Sequence, residues 1–533
     1  MKKSQTPTTG LQHEGRSEVS FIRQLALAGL SGLLLVLAFP RFDLGLLAFF
    51  ALVPLLFALY GEKPQKAFWM GLLTGCLFYL LSLSWMTHTM TIYGGLSWPV
   101  SVLVLFALAL YLSLYFALFA FFFAKVQDRS GLFRATFAAS LWTALEYLRT
   151  YLLTGFPWNL LGYSQYRNLP LIQITAYTGV YGVSFLLVFV NASMAYALRP
   201  PFRWRETLPP LLISVLLLLS AFGSSWVPLL WQPKGGELRV ALLQGNIDQG
   251  VKWDSAYQAA TLEIYRRLTL EAAKENPALV VWPETATPFF LRSHPLGGKV
   301  FRTAQEAGAF LLVGSPDWDG DLPAAAQRQA GERRRYFNSA FLISPEGRAI
   351  DKYDKIHMVP FGEYVPLKRI LFFVQKMAYG IGDFSGGDRY TVFSTPFGRF
   401  SVTICYEAIF PDQVRRFVLS GADFLVNITN DAWFGRSSAP YQHLAMAAFR
   451  AVENRVYLIR SANTGISAIV APTGEIMEVT DLFVEAALSG TIRLKAGETF
   501  YTRYGDLFAL GCVAFALATL LSWRSSRWKK RAG

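Results

Sequence analysis

The stretch Ser401–Phe410 reads SVTICYEAIF and predicts a β-strand followed by a sharp turn. The β-branched run Val402–Ile404 favours a strand, and polar Tyr406 and Glu407 end it directly after Cys405. A free cysteine is most often a small buried hydrophobic residue. A strand followed by a sharp turn would instead hold its sulfur rigidly at the strand end, beside polar neighbours. We therefore treat Cys405 as a candidate reactive residue.

The composition is typical of a protein that is partly embedded in a membrane. Apolar residues make up 53% of the chain and charged residues only 16%, which is too apolar for an ordinary soluble protein. The formal net charge of +14 is compatible with a nucleic-acid surface. The basic residues, however, cluster in short loops between apolar runs, as the positive-inside rule predicts. We therefore expect no nucleic-acid partner.

Apolar runs near the length that crosses a bilayer occupy most of the first 230 residues, after a polar tail. The first run is not interpreted as a signal peptide, because further runs follow it and no small-residue cleavage site stands out. The run at 134–153 is the weakest, since it carries Glu146 and Arg149. Eight transmembrane helices are predicted, at about 21–39, 44–60, 67–87, 97–124, 134–153, 171–197, 208–230 and 504–522.

Basic residues alternate between successive loops and predict the orientation of these helices. The loops after the second, fourth and sixth helices, and the segment after the last, are rich in Lys and Arg. The alternate loops hold only Arg41, Arg149 and Arg167. Because basic loops stay in the cytoplasm, the large polar segment is expected in the periplasm of a bacterium with an outer membrane. The predicted domains are a cytoplasmic tail (1–20), a membrane domain with seven helices (21–230), a periplasmic catalytic domain (231–503), a last helix (504–522) and a basic cytoplasmic tail (523–533).

The segment 237–495 alternates short β-rich runs with amphipathic helical stretches, which favours a layered α/β domain. Cys405 is the only cysteine in this segment, so its sequence excludes a disulfide framework there. No Cys/His cluster has the spacing of metal ligands. We therefore expect neither a metal nor a cofactor.

Two further residues of this segment are candidates for chemistry. Glu284 follows the strand-like run Leu279–Trp282, and a carboxylate at the end of a buried strand is costly unless it is used or paired. A helix cap or a salt bridge is the structural alternative for Glu284. Lys355 lies in YDKIHMVPFGE, where an ordinary solvated lysine is the alternative. His357, in the same run, leaves a Cys–His pair open as a second possibility.

These stretches together resemble the Glu–Lys–Cys triad of the nitrilase superfamily. The matching elements are WPE ending at Glu284, DK ending at Lys355, PFGE ending at Glu363 and CYE around Tyr406, in the chain order of that superfamily. The resemblance covers about 237–495 and implies an αββα sandwich. It implies a general base at Glu284, an oxyanion-stabilising cation at Lys355 and a nucleophile at Cys405.

The same resemblance assigns supporting residues around the triad. Glu363 would support the lysine, while Tyr406 and Glu407 would shape the pocket beside the sulfur. Trp253, in VKWD, and Asn338, in FNSA, are placed by weaker local matches.

The whole chain is similar to the bacterial inner-membrane acyltransferases that complete lipoprotein acylation. The eight-helix pattern, GFPWNLLGYSQ (155–165) and NDAWFG (430–435) carry this likeness. It implies that a fatty acyl chain passes from a phospholipid, through a cysteine thioester, to the α-amine of a lipidated N-terminal cysteine. It also implies a monomer without a cofactor. The alternatives are a membrane-anchored amidase or nitrilase, and a non-enzymatic transporter or scaffold.

Aromatic residues in the globular segment are candidate lids that contact lipid. A run such as 370–374 is equally compatible with ordinary core. The candidates are Phe289, Phe290, Phe372, Phe373, Trp433 and Phe434.

Overall fold

A computed structural model describes most of the chain. Phe372, Phe373 and the rest of the run 370–374 lie outside the described residues. The residues described are 10–199, 202–224, 236–319, 335–360, 362–364, 384–495 and 497–532.

The first part of the described chain is helical. Pro64 and Pro99 stand in the first turns of two of its helices, where a missing N–H costs nothing. A π-helical turn, Thr89–Tyr93, follows α4. The helices are α1 (Gly10–Ala38), α2 (Val53–Ala58), α3 (Pro64–Ser82), α4 (Trp85–His88), α5 (Trp98–Phe123), α6 (Gly131–Tyr151), α7 (Leu169–Ile172), α8 (Thr175–Thr178), α9 (Val180–Ala197) and α10 (Trp204–Gly223).

Within the described residues, four helices are long and apolar enough to cross a membrane, and a bent pair brings the number to five if it counts as one span. The pair is Pro64–Ser82 with Trp85–Tyr93, bent by 51°. Two further predicted spans are shorter helical segments, Gly45–Ala58 and Leu507–Trp523. The four helices are Phe21–Ala38, Trp98–Val126, Val180–Ala197 and Trp204–Gly223.

Helix α6 occupies the weak predicted span 134–153 and buries its charged residues inside the bundle. Glu146 Oε1 accepts hydrogen bonds from Trp142 Nε1 at 2.9 Å and from the Leu161 amide at 2.7 Å. Arg149 Nη1 donates to the Trp158 carbonyl at 3.0 Å. Because these partners lie within the bundle, the helix tolerates charges that would be costly against lipid.

Helices α3 and α5 pack closely because two glycines on α3 face α5. A side chain at Gly71 would overlap the carbonyl oxygen of Phe116, and a Cβ at Gly75 would lie 2.9 Å from Ser113 Cα. Small residues four apart let helix backbones approach each other in membranes, where close packing drives association.

Gly71→Ala is expected to separate α3 from α5 and to cost about 1–3 kcal/mol through overpacking. The apparent melting temperature in detergent, followed by tryptophan fluorescence, should fall. Gly511→Ala is the control, because a Cβ at that helical position meets no atom within 4 Å beyond the backbone of its own helix. An equal melting temperature for Gly71→Ala and the wild type would contradict the packing argument.

The second part of the described chain is built around two β-sheets. Its strands are β1 (Glu237–Gln244), β2 (Leu279–Val281), β3 (Phe310–Trp318), β4 (Tyr336–Ile343), β5 (Ala349–Asp354), β6 (Phe393–Thr395), β7 (Gly398–Ile404), β8 (Phe424–Thr429), β9 (Leu458–Ala462), β10 (Ala468–Val470), β11 (Ile476–Val479) and β12 (Ala486–Arg493). Its helices are α11 (Gln258–Ala273), α12 (Gly297–Ala307), α13 (Pro411–Leu419) and α14 (Ala439–Asn454), and α15 (Phe500–Tyr504) and α16 (Leu507–Ala532) follow.

Each sheet has six strands within the described residues. The strand orders are β12-β1-β2-β3-β4-β5 and β11-β10-β9-β8-β7-β6. Strands β1, β2 and β3 are parallel, as are β7, β8 and β9. The predicted sandwich of two sheets with flanking helices is confirmed.

Alternate residues of β1 belong to different hydrophobic cores, as the two-residue period of a strand requires. Ala241 and Leu243 pack with α11 and α12 on the outer face of the first sheet. Val240 and Leu242 belong to the core shared with the second sheet. The two sheets also meet through Ser461, whose hydroxyl donates to the carbonyl of Leu243 at 2.8 Å.

Helix α14 joins the sandwich to the membrane domain. All of its residues except Tyr441 are buried. Glu453 accepts a hydrogen bond from the Val180 amide, at the start of α9, at 3.0 Å. Arg450 donates to the hydroxyl of Tyr163, also in the membrane domain, at 3.0 Å. The sandwich is therefore docked on the helices of the first part of the chain through buried polar contacts.

Candidate active site

Glu284 lies just beyond the carboxyl end of β2 and is bonded to both sheets. Its Oε1 accepts from Asn338 Nδ2, on β4, at 2.7 Å. Its Oε2 accepts from the Asn430 amide, just after β8 in the second sheet, at 2.9 Å. Burial raises the pKa of Glu284, although Lys355 opposes the shift. The side chain therefore has the basicity that suits a proton acceptor.

Lys355 directly follows β5 and lies between two carboxylates. Its Nζ is 2.9 Å from Glu363 Oε2 and 3.8 Å from Glu284 Oε1. Asn338 Nδ2 also donates to Glu363 Oε1 at 3.0 Å, so one amide group bridges both acids. Burial disfavours the ammonium charge, but Glu363 and Glu284 outweigh it and raise the pKa of Lys355. The lysine is thus a fixed positive charge in a buried site.

Cys405 follows β7 directly and begins the 3₁₀ turn Cys405–Ile409. The predicted position at a strand end is confirmed. Its φ of +53° is in the left-handed region, which non-glycine residues enter at a cost. Burial and the negative charge of Glu284 raise the pKa of the thiol, while Lys355 opposes them. The resting thiol is therefore protonated and needs a base before it can react.

Glu407 holds the cysteine turn against the loop that carries the lysine. Its Oε2 accepts from the Ile404 amide at 2.7 Å. Its Oε1 accepts from the amides of Ile356 at 2.7 Å and His357 at 3.0 Å. Tyr353 donates its hydroxyl to the same Oε1 at 2.7 Å. Glu407, which the sequence predicted to shape the pocket, thus joins the cysteine turn to the lysine loop. We call this set of hydrogen bonds the clamp.

Tyr406 connects the site to the membrane domain. Its hydroxyl donates to the Gly155 carbonyl, in the GFPWNLLGYSQ stretch, at 3.2 Å.

The ring of His357 lies 3.8 Å from that of Phe410. Burial and Lys355 lower the pKa of His357 to about 4, so this histidine is neutral near pH 7.

Lys252 is a site residue that sequence reasoning missed. The sequence pointed to its neighbour Trp253, which is only partly buried. Lys252 is 1% exposed and donates to Thr285 Oγ1 at 2.7 Å and to the Glu284 carbonyl at 3.2 Å. Burial lowers its pKa to about 8. Its position one residue before Trp253 was the only signal in the sequence.

The NDAWFG stretch provides more than aromatic residues. Asn430 supplies the amide that binds Glu284, and Asp431 Oδ2 lies 2.7 Å from Arg460 Nη2. Burial alone would raise the pKa of Asp431, but Arg460 and His443 lower it to about 2. Neither Arg460 nor His443 was a sequence candidate, because only the fold brings them to this loop.

The aromatic lid candidates within the described residues differ in their surroundings. Phe289 is 5% exposed and packs in the core beneath α11 and α12, so it offers little surface to lipid. The ring of Phe290 lies 4.5 Å from that of Trp318. Trp433 and Phe434 contact the bent membrane segment, with ring centroids 5.1 Å from Tyr93 and 4.8 Å from Trp85.

The fold and the site define a class of protein. Two facing sheets carry polar residues at the carboxyl ends of parallel strands, and an apolar helical domain is docked beside them. Residues 239–500 match the family described as carbon-nitrogen hydrolase, and residues 31–193 match the apolipoprotein N-acyltransferase N-terminal domain. The chain is thus a carbon–nitrogen hydrolase domain combined with a membrane-embedded helical domain.

Relatives cover nearly the full length of the chain. The apolipoprotein N-acyltransferase of Geobacter metallireducens is 47% identical over 502 residues, which are 93% of this chain and 94% of the relative. That of Azotobacter vinelandii is 37% identical over 498 residues, 90% of this chain and 91% of the relative. Among solved structures, Saccharomyces cerevisiae Nit3, a member of branch 10 of the nitrilase superfamily, is 20% identical, with a TM-score of 0.37 over 49% of this chain and 91% of that chain. The chain belongs to the apolipoprotein N-acyltransferase family and is an acyltransferase.

Glu407→Gln is expected to loosen the clamp. Both carboxylate oxygens accept from N–H or O–H donors, so an amide NH₂ must face a donor, which costs about 1–3 kcal/mol for each buried group left unpaired. We expect a lower melting temperature and a lower rate of acyl transfer, measured by differential scanning fluorimetry and a lipopeptide assay. Glu275→Gln, at an exposed carboxylate of the same domain, is the control. Wild-type values for Glu407→Gln would show that the clamp is dispensable.

Proposed function

We propose that the enzyme transfers a fatty acyl chain from a membrane phospholipid to the N-terminal α-amine of a diacylated apolipoprotein, through a thioester on Cys405. The observation that carries this proposal is that Glu284 and Lys355, beyond strands of the first sheet, and Cys405, beyond a strand of the second, are buried close enough for both charges to act on the thiol, as its pKa reflects. The docking of this domain on apolar helices supports a site at a lipid surface.

In the first step, Glu284 takes the thiol proton and the thiolate attacks the ester carbonyl of the phospholipid. The C–O bond breaks after a tetrahedral intermediate whose oxyanion is stabilised by Lys355 and by backbone N–H groups beside Tyr406. Glu284 then returns the proton to the departing lysophospholipid. The raised pKa of Glu284 suits both transfers, since one group must accept a proton and release it again.

In the second step, the α-amine of the acceptor attacks the thioester carbonyl. An α-amine has a pKa of about 8, so an appreciable neutral fraction exists near pH 7. The C–S bond breaks, the amine proton passes to Glu284, and the sulfur is reprotonated. Splitting the transfer in this way replaces one difficult aminolysis of an ester by two easier steps. Asn338 and Glu363 support these steps by fixing Glu284 and Lys355.

We also propose that eight helices cross the bacterial inner membrane, with the catalytic domain (231–503) in the periplasm and the tails 1–20 and 523–533 in the cytoplasm. Five of the eight would be the four long apolar helices and the bent pair. The other three would be Gly45–Ala58, α6 and Leu507–Trp523. The basic loops support this orientation. The protein would act as a monomer.

The lid role of the aromatic residues also stays a proposal. Phe372 and Phe373 would contact lipid at the mouth of the site, as would Phe290, Trp433 and Phe434. The contacts of Trp433 and Phe434 with the bent membrane segment support a position near the bilayer surface.

The orientation predicts where a fused reporter is active. Alkaline phosphatase needs the oxidising periplasm for its disulfides, so a fusion after residue 495 is expected to be active. Fusions after residue 66 or residue 129 are expected to be inactive. Enzyme activity normalised to fusion abundance is the measurement. The reverse pattern would overturn the proposed orientation.

The thioester predicts a mass change on one residue. Incubation of the purified enzyme with phospholipid should add one acyl chain to Cys405, seen by intact mass and removed by hydroxylamine. A diacylated lipopeptide with a free amine should remove the acyl chain and gain it. Glu284→Gln should slow adduct formation by about 100-fold or more, the usual contribution of a general base.

Two cysteine variants serve as controls for this experiment. Cys405→Ala should form no adduct, whereas Cys512→Ala, which changes a cysteine of α16, should form it normally. An active Cys405→Ala enzyme would refute the mechanism. Release of free fatty acid without amide formation would instead favour a membrane-anchored hydrolase.

A further inference from the structure

Helix α14 contacts both the cysteine turn and the membrane domain through two adjacent residues. Gln442 is 1% exposed and reaches three segments of the membrane domain. His443, the next residue, is also 1% exposed and reaches the backbone of Cys405. Within the described residues, this pair is a direct polar connection from the ends of membrane helices to the cysteine.

The side chain of Gln442 is held in one orientation by the chemistry of its partners. Trp158 Nε1 can only donate, and it lies 2.8 Å from Gln442 Oε1. The carbonyl oxygens of Pro40 and Ser82 can only accept, and they lie 3.0 Å and 3.1 Å from Gln442 Nε2. These partners stand after α1, at the end of α3 and after α6. The single side-chain amide of Gln442 therefore fixes the position of α14 relative to three segments of the membrane domain.

His443 links the position of α14 to the turn that begins at Cys405. Its Nε2 lies 3.2 Å from the Cys405 carbonyl, which can only accept, so the proton is on Nε2. Its Nδ1 then accepts from Arg460 Nη2 at 3.0 Å and lies 3.2 Å from Asp431 Oδ1. Asp431 holds the same guanidinium group at 2.7 Å. Arg460 and Asp431 thus fix the imidazole ring, which donates to the Cys405 carbonyl. The backbone of Cys405 has a φ of +53°, which neighbouring contacts must stabilise.

We propose that Gln442 is a positioning residue that sets the backbone of Cys405 through His443, so that the nucleophile is aligned only when the catalytic domain is seated on the membrane domain. The inference rests on the proposed role of Cys405. Neither Gln442 nor His443 needs to touch the substrate in this arrangement. Their contribution is to the rate of thiol acylation rather than to lipid binding.

A second interdomain glutamine provides a matched comparison. Gln173, in the membrane domain, is 2% exposed and donates to the Thr473 carbonyl at 2.9 Å. Its side-chain carbonyl accepts from Arg455, at the far end of α14. Gln173 therefore joins the same two domains without leading to Cys405. Loss of docking alone would affect variants of both glutamines alike.

The experiment measures acylation of Cys405 in a single turnover, with mixed micelles of a phospholipid that carries a labelled acyl chain. Gln442→Met should slow acylation at least 10-fold, with an unchanged phospholipid concentration at half-maximal rate. Gln173→Met should be within 2-fold of the wild type. His443→Leu should resemble Gln442→Met, whereas His443→Gln, which keeps a donor near the Cys405 carbonyl, should recover most of the rate.

The double variant tests whether both residues act on one path. If Gln442 acts through His443, Gln442→Met combined with His443→Leu should be no slower than His443→Leu alone. Multiplying effects, or equal losses in the Gln173 and Gln442 variants, would overturn the inference while leaving the thioester mechanism intact. Absence of an adduct in the wild type would overturn the proposed function and, with it, this inference. If Gln442→Met does not fold, Trp158→Phe is the alternative, because it removes the donor to Gln442 Oε1. This variant should acylate Cys405 more slowly, with an unchanged phospholipid concentration at half-maximal rate.

Discussion

The buried carboxylate of Glu407 is the interaction on which the geometry of the site depends. A fully buried carboxylate is costly unless donors surround it. Here the donors include the Ile404 amide at the end of β7, the amides of the loop after β5, and the side chains of Tyr353 and Gln413. Satisfying one charge therefore fixes the distance between the cysteine turn and the lysine loop. Glu407, two residues after Cys405, binds backbone amides, and the backbone then places Cys405 and Lys355.

The other buried carboxylates of the site also share hydrogen-bond donors. Asn338 bridges Glu284 and Glu363 with one NH₂ group, and the Asn430 amide completes Glu284 from the opposite sheet. The site is assembled across the sandwich interface rather than along one strand. Arg460 and Asp431 form a second buried set behind it, where each charge neutralises the other. Removal of a single partner thus leaves an uncompensated group in the interior.

The sequence predicted those features whose physical signals are local. A β-branched run that ends at polar residues predicts the strand before Cys405, and the order of the short motifs indicated the αββα sandwich through resemblance. The membrane was predicted less completely. Span 134–153 looked weak because composition does not show that Glu146 and Arg149 find partners inside the bundle. Segment Gly45–Ala58 falls short of a full span because it breaks into two short helices.

Residues whose role comes from distant partners left no local signal. Lys252 is buried because Thr285 lies beside it in the fold, and a lysine in a loop ordinarily suggests a solvated surface. Gln442 and His443 read as an ordinary polar pair on an amphipathic helix. Their partners are up to 402 positions away in the chain. Only the folded structure shows that every residue of this helix except Tyr441 is buried.

The pairing of β1 with β12 has a consequence for the origin of such a chain. Glu237 and Arg493 are opposite each other in an antiparallel ladder, so the catalytic domain begins and ends at neighbouring points. A domain with adjacent ends can be inserted into a loop between two helices without moving either helix. An acyltransferase of this architecture can therefore arise when one genetic insertion places a carbon–nitrogen hydrolase domain between two helices. After that event, adaptation is needed on α14 and on the loops that carry Tyr406, Trp433 and Thr473, where the two domains meet.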